Sequence, residues 1–154
     1  MRVAVAGTFG PIHDGHRELL ETALEVGAGG VVVGLTSDAY ANESRERTVL
    51  PFESRERALS RELDELDLWG RPREIRKIAA EDAFAATEAD LDALVVSPET
   101  FPEVHDINEA RREAELPELV AIVVPFVLDE QGERLSSTRI VEGDVDEHGG
   151  LAHP

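Results

Sequence analysis

The sequence predicts an α/β protein built on a doubly wound, five-stranded parallel sheet. Three observations predict it: short, almost wholly apolar runs recur along the chain, amphipathic helical segments separate them, and 154 residues suit one domain. Arg2 to Ala6 reads as the first strand, ending at Gly7. After a loop through Pro11, Gly15 to Val26 carries Leu19, Leu20, Ala23 and Leu24 at helical spacing. Gly27, Gly29 and Gly30 break that helix, and Val31 to Leu35 is a continuous apolar run of the kind expected for a strand buried on both faces. Ser37 to Val49 is polar and arginine-rich and reads as a loop, after which Pro51 precedes a helix with the face Leu59, Leu63 and Leu66. Arg73 to Ile78 is the third strand, about Asp82 to Ala89 a helix, Leu94 to Val96 the fourth strand, and about Ile107 to Ala114 a further helix. Leu119 to Val124 is the fifth strand, which Pro125 either stops or confines to a sheet edge. Leu135 to Thr138 opens a short helix with hydroxyl caps. On this reading residues 1–141 form a single domain and the acidic tail, 142–154, is expected to fray.

Charge is the strongest compositional signal. Fifteen Lys and Arg stand against 33 Asp and Glu, a net charge of −18 that would repel a phosphate backbone and argues against nucleic acid as a partner. Lys77 is the only lysine, and the carboxylates are spread along the whole chain. This pattern resembles the proteins of salt-in halophiles; an ordinary acidic domain is the alternative. The absence of cysteine excludes disulfide, thiolate and zinc-cysteine chemistry. The longest apolar run, Leu119 to Leu128, is too short to span a bilayer, and Met1-Arg2 leads straight into the first strand, so a cytoplasmic protein without a membrane partner is expected. Nothing in the sequence sets the oligomeric state.

In a doubly wound sheet, ligands bind beyond the carboxyl ends of the strands, near the switch point. That directs attention to the loops after Ala6, Leu35, Val96 and Val124. The first runs Gly7-Thr8-Phe9-Gly10-Pro11-Ile12-His13-Asp14-Gly15-His16 and puts two imidazoles at a helix start, where N–H groups and the dipole favour an anion. Gly15 would let a phosphate approach the backbone. Helix capping by His13 and His16 is the competing reading, and a two-histidine metal site is a third, although no further ligand stands at metalloprotease spacing.

This loop resembles the H-x-G-H signature of the α/β nucleotidyltransferases, and Leu135-Ser136-Ser137-Thr138-Arg139-Ile140 resembles their C-terminal I-S-S-T-x-[IV] motif. Within that superfamily, Thr8-Phe9, Thr36-Ser37-Asp38 and Pro51-Phe52-Glu53-Ser54-Arg55 are similar to the archaeal type of phosphopantetheine adenylyltransferase. The resemblance implies a Rossmann-like nucleotidyltransferase fold and adenylyl transfer from ATP to phosphopantetheine, giving dephospho-coenzyme A and diphosphate. Mg²⁺ would enter with ATP, without a dedicated protein metal site. The resemblance further implies His16 and His13 as catalytic residues, with ATP bound by Gly7, Thr8, Phe9, His13, Gly15, His16, Ser97, Glu99, Ser136, Ser137 and Thr138. Thr8, Arg47, Asn108 and Arg111 would bind the acceptor, with an exposed helix position as the alternative for Arg111. Relative to the bacterial type, His13 stands where threonine is usual, Gly10 where aspartate is usual, and no lysine matches the catalytic-loop lysine, leaving Arg45 or Arg47 to supply a cation. Two other functions compete: a nucleotidyltransferase of the same fold acting on nicotinamide or flavin mononucleotide, and a non-catalytic ATP-binding module.

The charge carries its own prediction. Unscreened carboxylates repel one another while exposed ion pairs contribute only about 0–1 kcal/mol each, so folding and activity are expected to require molar salt. Thermal unfolding and turnover followed across a salt series check this; an unchanged midpoint and full activity in dilute buffer would contradict it.

Overall fold

The structure is a computed structural model that describes residues 1–43, 49–79 and 84–150. Its elements run β1 (Arg2–Gly7), α1 (Asp14–Val26), β2 (Gly30–Thr36), α2 (Asp38–Glu43), α3 (Phe52–Leu66), β3 (Arg73–Ile78), β4 (Ala93–Val96), α4 (Glu103–Glu113), β5 (Val120–Val123) and α5 (Ser137–Val141). The strands form one parallel sheet in the order β3-β2-β1-β4-β5. The order reverses between β1 and β4, so the loops leaving their carboxyl ends diverge and open a crevice there.

Side chains alternate across the strands, and each face of the sheet collects its own core. Val3, Val5, Val31, Val33, Leu35 and Val95 meet Leu20, Ala23 and Leu24 of α1 and Phe52, Leu59 and Leu63 of α3. On the other face Ala4, Val32 and Leu94 meet Val104 and Ile107 of α4, together with Ala85, Leu91 and Leu119. β2 is buried along its whole length, as its unbroken apolar run requires. β5 is an edge strand and stops before Pro125, leaving Val120 and Val123 exposed.

Three sequence expectations are corrected. The segment from Ser37 contains α2, whose first turn is capped by Ser37: its Oγ accepts from the Tyr40 N–H at 3.3 Å. The helix expected over about Asp82 to Ala89 is, among the described residues, a turn in which the Glu88 and Thr87 N–H groups donate to the Phe84 carbonyl. Two of its other carbonyls are satisfied from outside, since the Arg111 Nη1 donates to those of Ala85 and Glu88, both at 2.8 Å. The tail does not fray over residues 142–150. Val145 is buried, the Asp14 N–H donates to the Glu147 carbonyl at 2.9 Å, and His148 Nδ1 lies 3.0 Å from the Asp14 carboxylate, so the tail is fastened to the start of α1.

The carboxyl ends of β1 and β2 are held by Arg55 of α3, which is 1 % exposed. Its Nε donates to the Leu50 carbonyl at 2.8 Å and its Nη1 to the carbonyls of Thr8 and Thr36 at 3.1 and 2.9 Å, while Nη2 pairs with Asp38 at 3.0 Å. Gly10 makes room for it: a Cβ there would lie 2.9 Å from Arg55 Cδ. Replacing Arg55 by Met strands the buried carbonyls of Thr8 and Thr36, and the expected loss is about 2–5 kcal/mol in urea unfolding. Arg55→Lys cannot span the same partners and should recover little of it; a loss below about 1 kcal/mol in the Met variant would show that the loops hold without the guanidinium.

Candidate active site

A cleft of about 580 Å³ opens at the switch point, lined by the first turn of α1, the loops after β1, β4 and β5, and the start of α5. Gly7, Thr8, His13, Gly15, His16, Ser97, Glu99, Ser136, Ser137 and Thr138 all line it. Two segments 120 residues apart in sequence are thus brought to one wall, and the Ser137 Oγ donates to the Pro11 carbonyl at 2.6 Å, bolting α5 to the β1 loop.

The two histidines cap α1 reciprocally. His13 Nδ1 accepts from the N–H groups of Gly15 and His16 at 3.0 and 3.4 Å, and His16 Nδ1 accepts from the His13 N–H at 3.2 Å. An Nδ1 that accepts carries no proton, so each neutral imidazole has its proton on Nε2. The rings stack with centroids 3.8 Å apart, and Phe9 packs against His16 at 4.9 Å. The capping reading is what the structure shows, and the cap fixes the tautomer. Gly15 is glycine because the His13 ring lies over it: a Cβ would meet His13 Cε1 at 2.7 Å.

Thr8 is buried, and its Oγ1 accepts from the Thr36 hydroxyl at 3.0 Å, while Arg55 Nη1 lies 3.4 Å from the Thr36 Oγ1. The relay Arg55 to Thr36 to Thr8 spends the acceptor side of Thr8 and leaves its hydroxyl proton for the cleft. On α5, Ser136 accepts from the Arg139 N–H at 3.3 Å and likewise keeps its proton. The Ser137 proton is taken by Pro11. Ser97 and Thr100 share a hydroxyl contact at 3.0 Å, and Glu99 forms an ion pair with Arg134 across the mouth.

Several expected site residues lie elsewhere. Phe9 is 2 % exposed in the left-handed region (φ 49°) and backs His16 instead of lining the cleft. Asn108 clamps Leu119, donating to its carbonyl at 3.0 Å and accepting from its N–H at 2.7 Å, so it joins α4 to the start of β5. Arg111 is fully buried on the same helix, its Nε bonded to the Pro117 carbonyl at 2.7 Å and its Nη1 to the Ala85–Glu88 turn. Neither lines the cleft, and Arg111 does not stand at an exposed helix position. Arg45 and Arg47 lie outside the described residues. Thr36, Arg55, Glu103, Phe126, Arg134 and Arg139 are the residues the sequence reading missed; the last two flank the hydroxyl motif and both line the cleft.

The cleft wall offers hard oxygen donors, the Glu99 and Glu103 carboxylates and the Ser97 and Thr100 hydroxyls, of the class that Mg²⁺ takes alongside phosphate oxygens. Among the described residues, the one group of three metal-ligating side chains within reach of each other is His105, Asp106 and Glu109, exposed on α4 and outside the cleft. No helix among the described residues is long and apolar enough to cross a membrane.

Burial, reinforced by the charges of Arg17 and Arg134, pushes the His13 imidazole down to about 4. The folded value thus lies below the unfolded one, near 6.5. Above 6.5 His13 costs nothing; as pH falls from 6.5 toward 4 the unfolded chain takes up a proton that the native state refuses, and stability drops through that window. The His13 ring resonances should therefore titrate near 4, and His13→Asn, which keeps a capping acceptor, should flatten the stability profile between pH 6.5 and 4. A His13 midpoint between 6 and 7 would contradict the assignment of a neutral, capping ring.

The family model described as cytidylyltransferase-like matches residues 4–143. A phosphopantetheine adenylyltransferase from Methanopyrus kandleri is 43 % identical over 148 residues, covering 95 % of this chain and 91 % of the relative. One from Archaeoglobus fulgidus is 37 % identical over 152 residues, 98 % of this chain and 99 % of that one. Among solved structures, a protein of unknown function from Archaeoglobus fulgidus superposes with a TM-score of 0.71 at 35 % identity, over 80 % of this chain and 89 % of that chain.

Proposed function

This chain belongs to the cytidylyltransferase-like family and, within it, to the archaeal phosphopantetheine adenylyltransferases, and from that premise we infer that it transfers the adenylyl group of ATP to phosphopantetheine, releasing diphosphate and forming dephospho-coenzyme A. The observation that carries the reading into this chain is the meeting of Thr8, the His13–His16 pair and Ser136 in one cleft at the switch point.

The acceptor phosphate is a nucleophile at neutral pH, so the reaction needs no general base. One of its oxygens attacks the α-phosphorus of ATP in line with the departing diphosphate, and the protein's part is positioning and charge stabilisation. The Thr8 hydroxyl, turned outward by the relay from Arg55, orients the acceptor phosphate. The His16 Nε2–H donates to the α-phosphate as its charge redistributes. His13, neutral in this pocket, offers its Nε2–H to the triphosphate and holds the turn that carries His16. Ser136 donates to the β- and γ-phosphates, while Ser137 keeps α5 against the β1 loop. Mg²⁺ arriving with ATP would be held by phosphate oxygens together with Glu103 and the Ser97 and Thr100 hydroxyls, and would offset the triphosphate charge.

Incubation with ATP, Mg²⁺ and each of phosphopantetheine, nicotinamide mononucleotide and flavin mononucleotide, reading diphosphate and product mass, tests the function. Phosphopantetheine is expected to turn over fastest, and equal or faster turnover of another acceptor would reassign the substrate. His16→Ala should lower kcat about 10²–10³-fold with ATP affinity within a small factor, because a donor aimed at developing charge acts in the transition state. A variant with near-normal kcat would remove His16 from the chemistry.

A further inference from the structure

We propose that Arg134 is a direct ligand of the β- and γ-phosphates of ATP, and that its ion pair with Glu99 is a resting partner which the triphosphate displaces. The proposal rests on the reading of the cleft as an ATP site, and it starts from the charges that line it.

Among the described residues, two cations line the cleft, Arg134 and Arg139, facing two carboxylates, Glu99 and Glu103. A triphosphate entering this space meets a wall that is neutral on balance, in a chain of net charge −18. Arg139 is already committed. Its Nη2 holds the buried Asp129 carboxylate at 2.6 Å and its Nη1 donates to the Arg134 carbonyl at 2.8 Å. Asp129 in turn accepts from the N–H groups of Gln131 and Glu133, so turning Arg139 outward would undo the loop between β5 and α5.

Arg134 is built the opposite way, with a fixed base and an exchangeable head. Its backbone is pinned by the Arg139 bond, by the antiparallel bridge to Leu128, and by the next residue, Leu135, whose side chain is buried and whose N–H donates to the Val127 carbonyl at 2.9 Å. Its guanidinium lies over the Phe126 ring at 4.5 Å, which orients the fork. The partner, Glu99, has a side chain 61 % exposed, against 46 % for Arg134. An exposed pair of this kind is weak, whereas a phosphate chain offers several charged oxygens to a planar fork. Arg134 immediately precedes Leu135-Ser136-Ser137, so the fork stands beside the hydroxyl assigned to the same phosphates. The charge of Arg134 is also among the influences that hold down the His13 imidazole, so its field reaches the α1 end of the cleft. Because the β- and γ-phosphates leave as diphosphate, Arg134 stays with the leaving group through transfer.

The test is calorimetry of the whole chain with Mg²⁺-ATP, Mg²⁺-diphosphate and AMP, on wild type, Arg134→Ala, Arg134→Lys, Glu99→Gln and the Arg134→Ala, Glu99→Gln double variant. Arg134→Ala should weaken ATP and diphosphate binding by about 10–100-fold and leave AMP unchanged. Arg134→Lys should recover part of that, as a point charge without the fork. Glu99→Gln, which frees the guanidinium, should tighten ATP about two- to fivefold, and that gain should vanish in the double variant. ATP affinity of Arg134→Ala within about twofold of wild type, or an equal loss for AMP, would overturn the proposal while leaving the adenylyltransferase reading intact. Failure of the wild type to bind ATP would overturn both.

Discussion

Arg55 reaches from α3 into the carboxyl end of the sheet, where β1 and β2 finish on carbonyls that no neighbouring strand takes up. Removing a guanidinium from water is costly, and the cost is met only because its fork finds carbonyls from three segments together with the Asp38 carboxylate. The same contacts fix the distance between the β1 and β2 loops and set the direction of the Thr36 and Thr8 hydroxyls. Without this constraint the cleft would keep its residues and lose their aim. The position of the α1 cap depends on it as well, since Phe9 and Gly10 sit between Arg55 and the histidines.

Positive charge is scarce in this chain, and its placement is selective. Arg17 bridges α1 to α3 through a two-pronged contact with Glu62, Arg73 and Arg76 meet carboxylates near β3, and Arg139 closes the β5–α5 loop. The paired side chains at the start of α1 are imidazoles, and His13 is held neutral. An uncharged N–H donor keeps its strength in concentrated salt better than an exposed cation does, because screening acts on net charge and little on a short hydrogen bond inside a cleft. The site chemistry and the acidic surface are in this sense compatible.

The sheet was legible because β1, β2 and β4 are apolar without interruption, and the site because its two motifs fall at the ends of β1 and before α5. The two buried arginines share one cause. Arg55 falls in register with Phe52, Leu59 and Leu63, and Arg111 with Val104 and Ile107, so each arginine stands on an apolar stripe that faces the core. That spacing is present in the sequence, but for Arg111 charge argues for exposure or ligand binding instead. The turn at Phe84–Glu88 could not be read locally, since two of its carbonyls, those of Ala85 and Glu88, are satisfied by Arg111, more than twenty residues downstream. The tail reads as frayed from its terminal position alone, while its hold comes from Asp14 and Arg17, more than a hundred residues upstream.

That last connection bears on how the protein is made. Synthesis proceeds from the N-terminus, and a nascent chain can assemble β1 to β4 while the ribosome is still adding α5. The Pro11 carbonyl waits for Ser137, and the Asp14 N–H for Glu147, so the cleft wall closes only when those residues emerge. Until then the histidine turn stands without the Ser136 and Ser137 hydroxyls that complete the wall.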